Sequence, residues 1–133
     1  MNYTTKELGA ALGFDSLLYA NTLLNRWDKD GVLKPSIRKR SGSGKLKALY
    51  SEQDLLIAKV LMKCAPPDTS NDFVKETRRL ISNAIRQFPT WTYLIVRSNA
   101  VSSAMTAEQV MSSIDKWGPG LVINLEEFRK EME

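Results

Sequence analysis

The sequence lacks histidine entirely and has a single cysteine among its 133 residues. Without an imidazole, one chain cannot build a Ser-His-Asp triad, a Cys-His dyad or a histidine metal site. A phosphate-binding glycine loop is also missing, because Gly42 and Gly44 have neither dinucleotide-binding nor Walker spacing. Carboxylates are scattered singly through polar segments, where Asp and Glu are usually solvated. The sequence therefore predicts no catalytic, metal or cofactor site, and hence a protein that is not an enzyme.

Long hydrophobic runs are absent as well. The longest, at 91–96 and 120–125, are far shorter than the roughly 20 residues that span a bilayer. No apolar stretch follows a basic N-terminal start, so no secretory signal is expected. The lone Cys64 cannot form an internal disulfide, and on an apolar helix it is expected to act as a small buried hydrophobe. These features predict a cytoplasmic protein with no membrane partner.

The composition that is present suits a folded chain, with 43% hydrophobic and 26% charged residues. Charge is divided unevenly: residues 1–63 hold 11 Lys plus Arg against 6 Asp plus Glu, whereas residues 64–133 hold 8 against 9. Residues 34–47 contain no acid. Their cations are Lys34, Arg38, Lys39, Arg40, Lys45 and Lys47. Such a cluster predicts a polyanionic partner, with a solvated basic loop as the alternative.

Two helices are predicted near the N-terminus. Thr4 and Glu7 have the spacing of a capping box, and Gly13 stands where a left-handed residue would end the first helix. A second helix begins after Asp15 or Ser16 and runs to about Trp27. Its apolar side is predicted to consist of Leu17, Ala20, Leu23, Leu24 and Trp27. Its polar side, with groups able to bind base edges and phosphates, carries Tyr19, Asn21, Thr22, Asn25 and Arg26.

A basic hairpin is predicted next. Residues 28–31 break the second helix, and two strand-like segments at 36–40 and 45–50 flank a turn of serine and glycine at 41–44. Small residues at such a tip allow backbone amides to approach phosphates closely. A third helix is predicted to begin at Ser51, with apolar residues that cover the first two helices.

A likeness to a known family is carried by short fragments that follow one another in a fixed order. They are Tyr3-Thr4-Thr5-Lys6-Glu7-Leu8, Leu12-Gly13, Arg26-Trp27, Gly31-Val32-Leu33-Lys34-Pro35-Ser36 and Tyr50-Ser51-Glu52-Gln53-Asp54-Leu55. In this order and spacing, residues 1–63 resemble the DNA-binding domain of MerR-type regulators. The resemblance implies a winged helix-turn-helix whose second helix enters the major groove of double-stranded DNA, in a homodimer. It implies that Thr22, Asn25 and Arg26 face the bases.

The same resemblance assigns a role to the hairpin, which in that family is a wing that contacts phosphates and the minor groove. The residues that it implies as wing contacts are Arg38, Lys39, Arg40, Lys45 and Lys47. Phage and plasmid excisionases use the same fold to bend DNA, so an architectural factor is the nearest alternative. A winged-helix protein-interaction module that binds no nucleic acid is a further alternative.

The second half is predicted to mediate assembly. Proline and small polar residues at 65–71 suggest a linker, followed by a helix at 72–87, a strand at 91–96, a helix at 106–117 and a strand at 121–125. Ser70 or Asn71 is predicted to cap the 72–87 helix, whose apolar stripe begins at Phe73 and whose polar face includes Arg78. Thr106 is predicted to cap the 106–117 helix. Two strands joined by a helix suit a parallel pair, and a thin sheet with open edges favours a dimer. The inner face of the 106–117 helix is predicted to carry Val110, Met111, Ile114 and Trp117.

Together these patterns predict an α+β fold, with a winged helix-turn-helix at residues 1–64, a linker at 65–71 and a small α/β dimerisation or partner-binding unit at 72–133. The predicted function is a sequence-specific, double-stranded DNA-binding transcriptional regulator from a bacterium or its phage, acting as a homodimer. The operator, any effector, any contact with RNA polymerase and the choice between activation and repression stay open at this point.

Overall fold

The computed structural model describes residues 2–40, 46–64, 72–97 and 100–132, and these residues form six helices and two three-stranded antiparallel sheets. The mixed α+β class predicted from the sequence is confirmed at this level. The chain divides into two compact units, Met1–Thr69 and Ser70–Glu133, and the division lies inside the predicted linker. Among the described residues, no helix combines the length and the apolar character needed to cross a membrane.

The first unit begins with a two-residue strand, β1 (Tyr3–Thr4), and two helices, α1 (Thr5–Ala11) and α2 (Leu17–Lys29). The predicted capping box is present, because the Glu7 amide donates to the Thr4 hydroxyl and the Thr4 amide donates to the Glu7 carboxylate. Gly13 ends α1 with a φ of 85°, a left-handed value that favours glycine. These local signals set the length of α1 and the turn that leads to α2.

The second helix starts after one of its two predicted caps and runs to Lys29, two residues beyond its predicted end near Trp27. The Ser16 side chain accepts a hydrogen bond from the Tyr19 amide and is the N-cap of α2. At the other end, Gly31 has a φ of 72°, and the Val32 amide donates to the Trp27 carbonyl. Together with the Gly31 to Asp28 bond, this is a Schellman motif. The chain therefore leaves α2 in a fixed direction, toward the strands that follow.

The hairpin strands are β2 (Ile37–Arg40) and β3 (Leu46–Tyr50), and α3 (Glu52–Cys64) follows them. For five residues of these strands, the structure describes the backbone but not the side chain. They are Ile37, Lys39, Arg40, Leu46 and Lys47. The sheet order is β1-β3-β2, with all neighbours antiparallel. β1 was not expected from the sequence, because two residues give no strand pattern of their own. Its partner is also distant in the sequence, since Tyr3 pairs with Tyr50.

The core of the first unit lies between the three helices and the sheet. α1 contacts both α2 and β3, and α3 contacts β3. Trp27 is fully buried, and its indole Nε1 has no hydrogen-bond partner among the described residues. The other large side chains of this core are Leu8, Leu23, Leu24, Val32, Leu33, Tyr50, Leu55, Leu56, Ile57, Val60 and Leu61. This packing fixes one face of α2 and leaves the opposite face in solvent.

The second unit consists of α4 (Asp72–Gln87), β4 (Tyr93–Val96), β5 (Val101–Ala104), α5 (Ala107–Trp117), β6 (Leu121–Asn124) and α6 (Leu125–Glu131). Its sheet has the order β5-β4-β6. The predicted parallel pair is wrong, because β4 and β6 are antiparallel. The sequence did not predict β5, which runs antiparallel to β4 and brings the chain back to the end of the sheet where β4 begins. α5 then carries the chain to the opposite end, from which β6 runs antiparallel to β4.

Both faces of β4 are buried. Ile95 packs with Ala104 and Val110, while Leu94 points to the other side of the sheet and is also fully buried. Thr106 caps α5, as predicted. Two residues assigned to the inner face of α5 are instead exposed, Met111 at 58% and Trp117 at 67%. The inner face of α5 is therefore narrower than predicted.

The buried stripe of α4 also differs from its prediction. Arg78 was expected on the polar face, but it is 1% exposed and shares a helical stripe with Ile81, Ser82 and Ile85. Phe73, which the sequence assigned to the apolar stripe, is exposed. The stripe is therefore rotated around the helix. The predicted cap of this helix, Ser70 or Asn71, lies outside the described residues.

Candidate nucleic-acid interface

The two sides of α2 differ sharply. Ala20, Leu23, Leu24 and Trp27 are buried, as the apolar periodicity predicted. Leu17 is wrong as a core residue, because it is 49% exposed in the first turn of the helix. The sequence-predicted site residues of this helix lie on its other side. Of these, Tyr19, Asn21, Thr22 and Asn25 are exposed, and Arg26 is half-buried.

The centre of the exposed face is a stripe of four residues. Leu18, Thr22, Asn25 and Lys29 follow one another at spacings of four, three and four residues, opposite the buried stripe. The Thr22 hydroxyl donates to the Leu18 carbonyl at 2.9 Å. Sequence reasoning missed Leu18 and Lys29 as members of this face, although their helical positions were sufficient to find them.

The first turn of α2 is held in place by several contacts. Ser16 caps it, and the ring of Tyr19 packs edge-on against the ring of Phe14, with centroids 5.0 Å apart. A cavity of about 240 Å³ lies beside this turn, between α1 and α2, and Lys6 and Leu17 are among its lining residues. The exposed face of α2 therefore begins at a turn that has both a side-chain cap and an aromatic contact.

Strand β2 is joined to the last turn of α2 by charge. The Asp28 carboxylate accepts from the guanidinium of Arg38 and forms an ion pair with Lys34 at 3.4 Å. Partial burial acts to raise the pKa of Asp28, but the hydrogen bonds and charges of Arg38 and Lys34 outweigh it and hold that pKa below its ordinary value. Arg38, a predicted phosphate contact, is therefore engaged by an acid of the same unit.

The remaining predicted wing residues can be placed only along the backbone. Lys39 is the register partner of Lys47 across the β2–β3 ladder, and Arg40 is the partner of Leu46. The structure does not describe the side chains of Lys39, Arg40 and Lys47, and Lys45 lies outside the described residues altogether. The backbone thus brings these three cationic positions together with Arg38 on one two-stranded ribbon, formed by β2 and β3.

The start of the ribbon is anchored to α3. The Ser36 hydroxyl donates to the Asp54 carboxylate at 2.5 Å, and the Ser51 amide donates to the same oxygen at 2.8 Å. The Asp54 amide donates back to the Ser51 hydroxyl, which completes a capping box at the N-terminus of α3. Asp54 is fully buried. The ribbon is thereby fixed at its base to two helices, α2 and α3.

Two other groups in this unit have shifted pKa values. Burial, and then the charges of Asp28 and Asp54, raise the pKa of Tyr50 to about 12. Burial raises the pKa of Cys64 to about 11, against a smaller opposing effect of Lys63. The Cys64 thiol is therefore protonated at neutral pH, which suits the predicted structural role better than a reactive one.

The second unit contains a cavity of about 450 Å³, lined by Arg97, Ala100, Ser102 and Trp117. The Arg97 guanidinium already donates to the carbonyls of Gly118 and Ser113, at 3.0 and 3.1 Å. This cation therefore ties the end of α5 to the end of β4.

Comparison with known proteins adds no family assignment. No protein-family model matches this chain, and no curated protein matches it significantly.

Proposed function

We propose that the first unit is a winged helix-turn-helix and that the protein is a sequence-specific regulator of transcription that binds double-stranded DNA as a homodimer. The observation that carries the proposal is the exposed face of α2, with its hydroxyl, amide and cationic groups, beside a ribbon whose strand β2 is joined to that helix by the Asp28–Arg38 ion pair. The resemblance of residues 1–63 to MerR-type DNA-binding domains supports the same assignment.

The dimensions and chemistry of α2 suit a major groove. Its 13 residues span about 20 Å, and a helix fits a groove about 12 Å wide. Asn21 and Asn25 supply amide groups that both donate and accept, and Arg26 supplies a cation. Side chains of these types bind base edges and phosphates. We assign α2 as the recognition helix on this basis.

The ribbon is assigned as the wing, with a division of labour among its cations. Arg38 positions the ribbon by binding Asp28. The phosphate contacts then belong to the cations beyond it, which are Lys39, Arg40, Lys45 and Lys47. No acid lies between residues 34 and 47, so no carboxylate of this segment opposes the approach of a phosphate.

The second unit is assigned to dimerisation. β5 and β6 are the outer strands of its sheet among the described residues, and β6 carries the exposed side chains of Leu121 and Val122. Pairing with a second copy along an outer strand would satisfy its open backbone groups and cover apolar surface. Two copies would place two recognition helices on one duplex, as half-sites about one helical turn apart require.

The decisive experiment is a fluorescence titration of DNA over a series of salt concentrations. If each subunit neutralises about 3 to 5 phosphates, log Kd of the dimer depends on log salt with a slope of about 5 to 9 in magnitude. The combined variant Lys39→Ala, Arg40→Ala and Lys47→Ala lowers that slope by about 0.9 for each phosphate that the dimer no longer neutralises. A flat salt response in the unsubstituted protein would overturn the proposal.

A matched control separates wing contacts from net charge. The combined variant Arg86→Ala, Lys116→Ala and Lys130→Ala removes the same number of positive charges from the second unit. It keeps the original slope if the wing binds the phosphates, and an equal decrease in slope for both variants would contradict the assignment. Duplexes selected from a random pool complete the test, because inverted half-sites support a dimeric regulator and tandem repeats would indicate an architectural factor instead.

A further inference from the structure

Leu18 occupies an unusual place for a large apolar side chain. It lies in the first turn of α2, at the centre of the exposed face, and is 76% exposed. Leu17 and Tyr19 flank it and are also exposed. Single apolar residues on a surface are common, but here a leucine leads the stripe that points directly away from the core. Its burial against a partner would provide apolar contact that the isolated unit does not.

The rest of the stripe is polar and has a definite order. Thr22 lies one turn beyond Leu18 and donates its hydroxyl proton to the Leu18 carbonyl, so the lone pairs of the hydroxyl oxygen are left to accept a hydrogen bond. Asn25 follows with an amide, and Lys29 with a cation. Along the helix, the stripe therefore presents an apolar group, an acceptor, an amide and a positive charge.

We infer that Leu18 contacts the 5-methyl group of a thymine, so that the first turns of α2 select A·T pairs. The thymine methyl is the apolar feature of the major groove, and the amino group of the paired adenine is a donor. The Leu18 side chain would contact the methyl group, and the Thr22 hydroxyl oxygen would accept a hydrogen bond from the adenine amino group. This inference rests on the DNA binding proposed above and adds to it one named base feature.

The stripe favours DNA over an apolar protein surface as its partner. A helix that docks in an apolar groove continues its anchors at the next positions of the same stripe. Here those positions hold Thr22, Asn25 and Lys29, and the segment from Ser16 to Trp27 contains no acid. Along this stripe, one apolar side chain is followed by polar groups and a cation, which are the types of group that contact thymine methyls, base edges and phosphates. Tyr19, next to Leu18, is itself in contact with the ring of Phe14.

The test uses all 133 residues of the chain and a duplex that the chain selects from a random DNA pool. Each thymine of that duplex is replaced in turn by deoxyuridine, which removes only the 5-methyl group. For the unsubstituted protein, removal of the methyl group that Leu18 contacts weakens binding about fourfold, the contribution of one buried methyl group. For Leu18→Ala, the same replacement changes the affinity by less than about twofold, because the leucine side chain that meets the methyl group is already absent.

Leu17→Ala is the matched control, since it shortens the neighbouring leucine of the same helical turn and keeps the full methyl effect. The inference is overturned if no thymine methyl affects binding, or if Leu18→Ala retains the fourfold response. DNA binding as proposed above survives both of those results. If the unsubstituted protein selects no duplex at all, the proposed function and this inference fail together, and the exposed leucine then belongs to a protein interface.

Discussion

Asp28 and Arg38 form an ion pair that joins the last turn of α2 to strand β2. Lys34 binds the same carboxylate, so one acid holds a cation of the segment before the ribbon and a cation of the ribbon itself. The sequence alone suggests that all cations of residues 34–47 are available to bind phosphates. The pairing counts against this interpretation, because Arg38 already binds an acid of the protein. The same pair also fixes the position of the ribbon relative to α2, the helix that is proposed to bind the bases of DNA.

Removal of this acid gives the first prediction. Asp28→Asn lowers the free energy of unfolding at neutral pH by about 0.5 to 1 kcal/mol, the usual size of a partly exposed ion pair. Because the pKa of Asp28 is lowered in the folded state, its contribution is present above about pH 4 and is lost as the pH falls through the lower, folded value. Urea unfolding of both proteins at about pH 7 and about pH 3 measures the difference.

The control for Asp28 is Glu76→Gln. Glu76 forms an exposed pair with Arg79 at 3.0 Å, three residues away on α4. Its removal changes the stability by only a few tenths of a kcal/mol, about the value of such helical pairs. The role given to Asp28 is wrong if Asp28→Asn and the unsubstituted protein lose the same stability on acidification.

The ends of the helices could be predicted from the sequence because their signals are local. The Thr4 and Glu7 capping box, the Ser16 cap and the left-handed Gly13 each involve residues within a few positions of one another. Periodicity likewise predicted the buried side of α2 through Leu23 and Trp27. The half of the candidate site that lies on this helix was therefore accessible without a structure.

Pairings between distant residues could not be predicted in the same way. Nothing near Arg38 in the sequence indicates that its partner is Asp28, because the two meet only after the chain has turned back. The register of Tyr3 with Tyr50, and the antiparallel pairing of β4 with β6, depend equally on how whole elements pack. Trp117 was assigned to a core by helical spacing, but the core that faces α5 reaches only Val110 and Ile114.

A close approach between α1 and α2 gives the second prediction. An added methyl group at Gly9 would lie 2.7 Å from the Cβ of Ala20, far inside normal contact distance. Glycine to alanine in a helix usually stabilises by about 1 kcal/mol. Gly9→Ala instead destabilises by about 1 to 3 kcal/mol, because the two helices must separate. Urea unfolding followed by circular dichroism measures the change.

The facing residue supplies the control for Gly9. The double variant Gly9→Ala with Ala20→Gly moves the methyl group from α2 to α1 and relieves the clash. It recovers most of the stability that Gly9→Ala removes, apart from about 1 kcal/mol for a glycine inside α2. If the single and double variants are equally unstable, the packing of these two helices does not set the stability. Under the proposed function, Gly9→Ala also weakens DNA binding, since α2 is displaced.

The buried carboxylate at the start of α3 gives the third prediction. Asp54→Ala leaves the Ser36 hydroxyl and the Ser51 amide without their shared acceptor. Removal of the cap and of a buried hydrogen-bond partner lowers the free energy of unfolding by about 2 to 4 kcal/mol. Asp54→Asn keeps one acceptor oxygen at the same place and loses about half as much. Chemical denaturation of the two variants compares them, and equal losses of stability would contradict the capping role.

The last prediction concerns the stability of the fold in alkali. Tyr50 is buried with a pKa of about 12, above the ordinary value of about 10, because burial and two nearby carboxylates oppose its ionisation. The contribution of Tyr50 to the free energy of unfolding is therefore complete below about pH 10. It is lost as the pH rises toward 12, and the loss is about 2 to 3 kcal/mol. Urea midpoints across that range fall steeply for the unsubstituted protein and less for Tyr50→Phe, which has no phenol to ionise. Tyr19→Phe removes an exposed hydroxyl and keeps the steep fall; the same alkaline loss in Tyr50→Phe would show that other groups cause it.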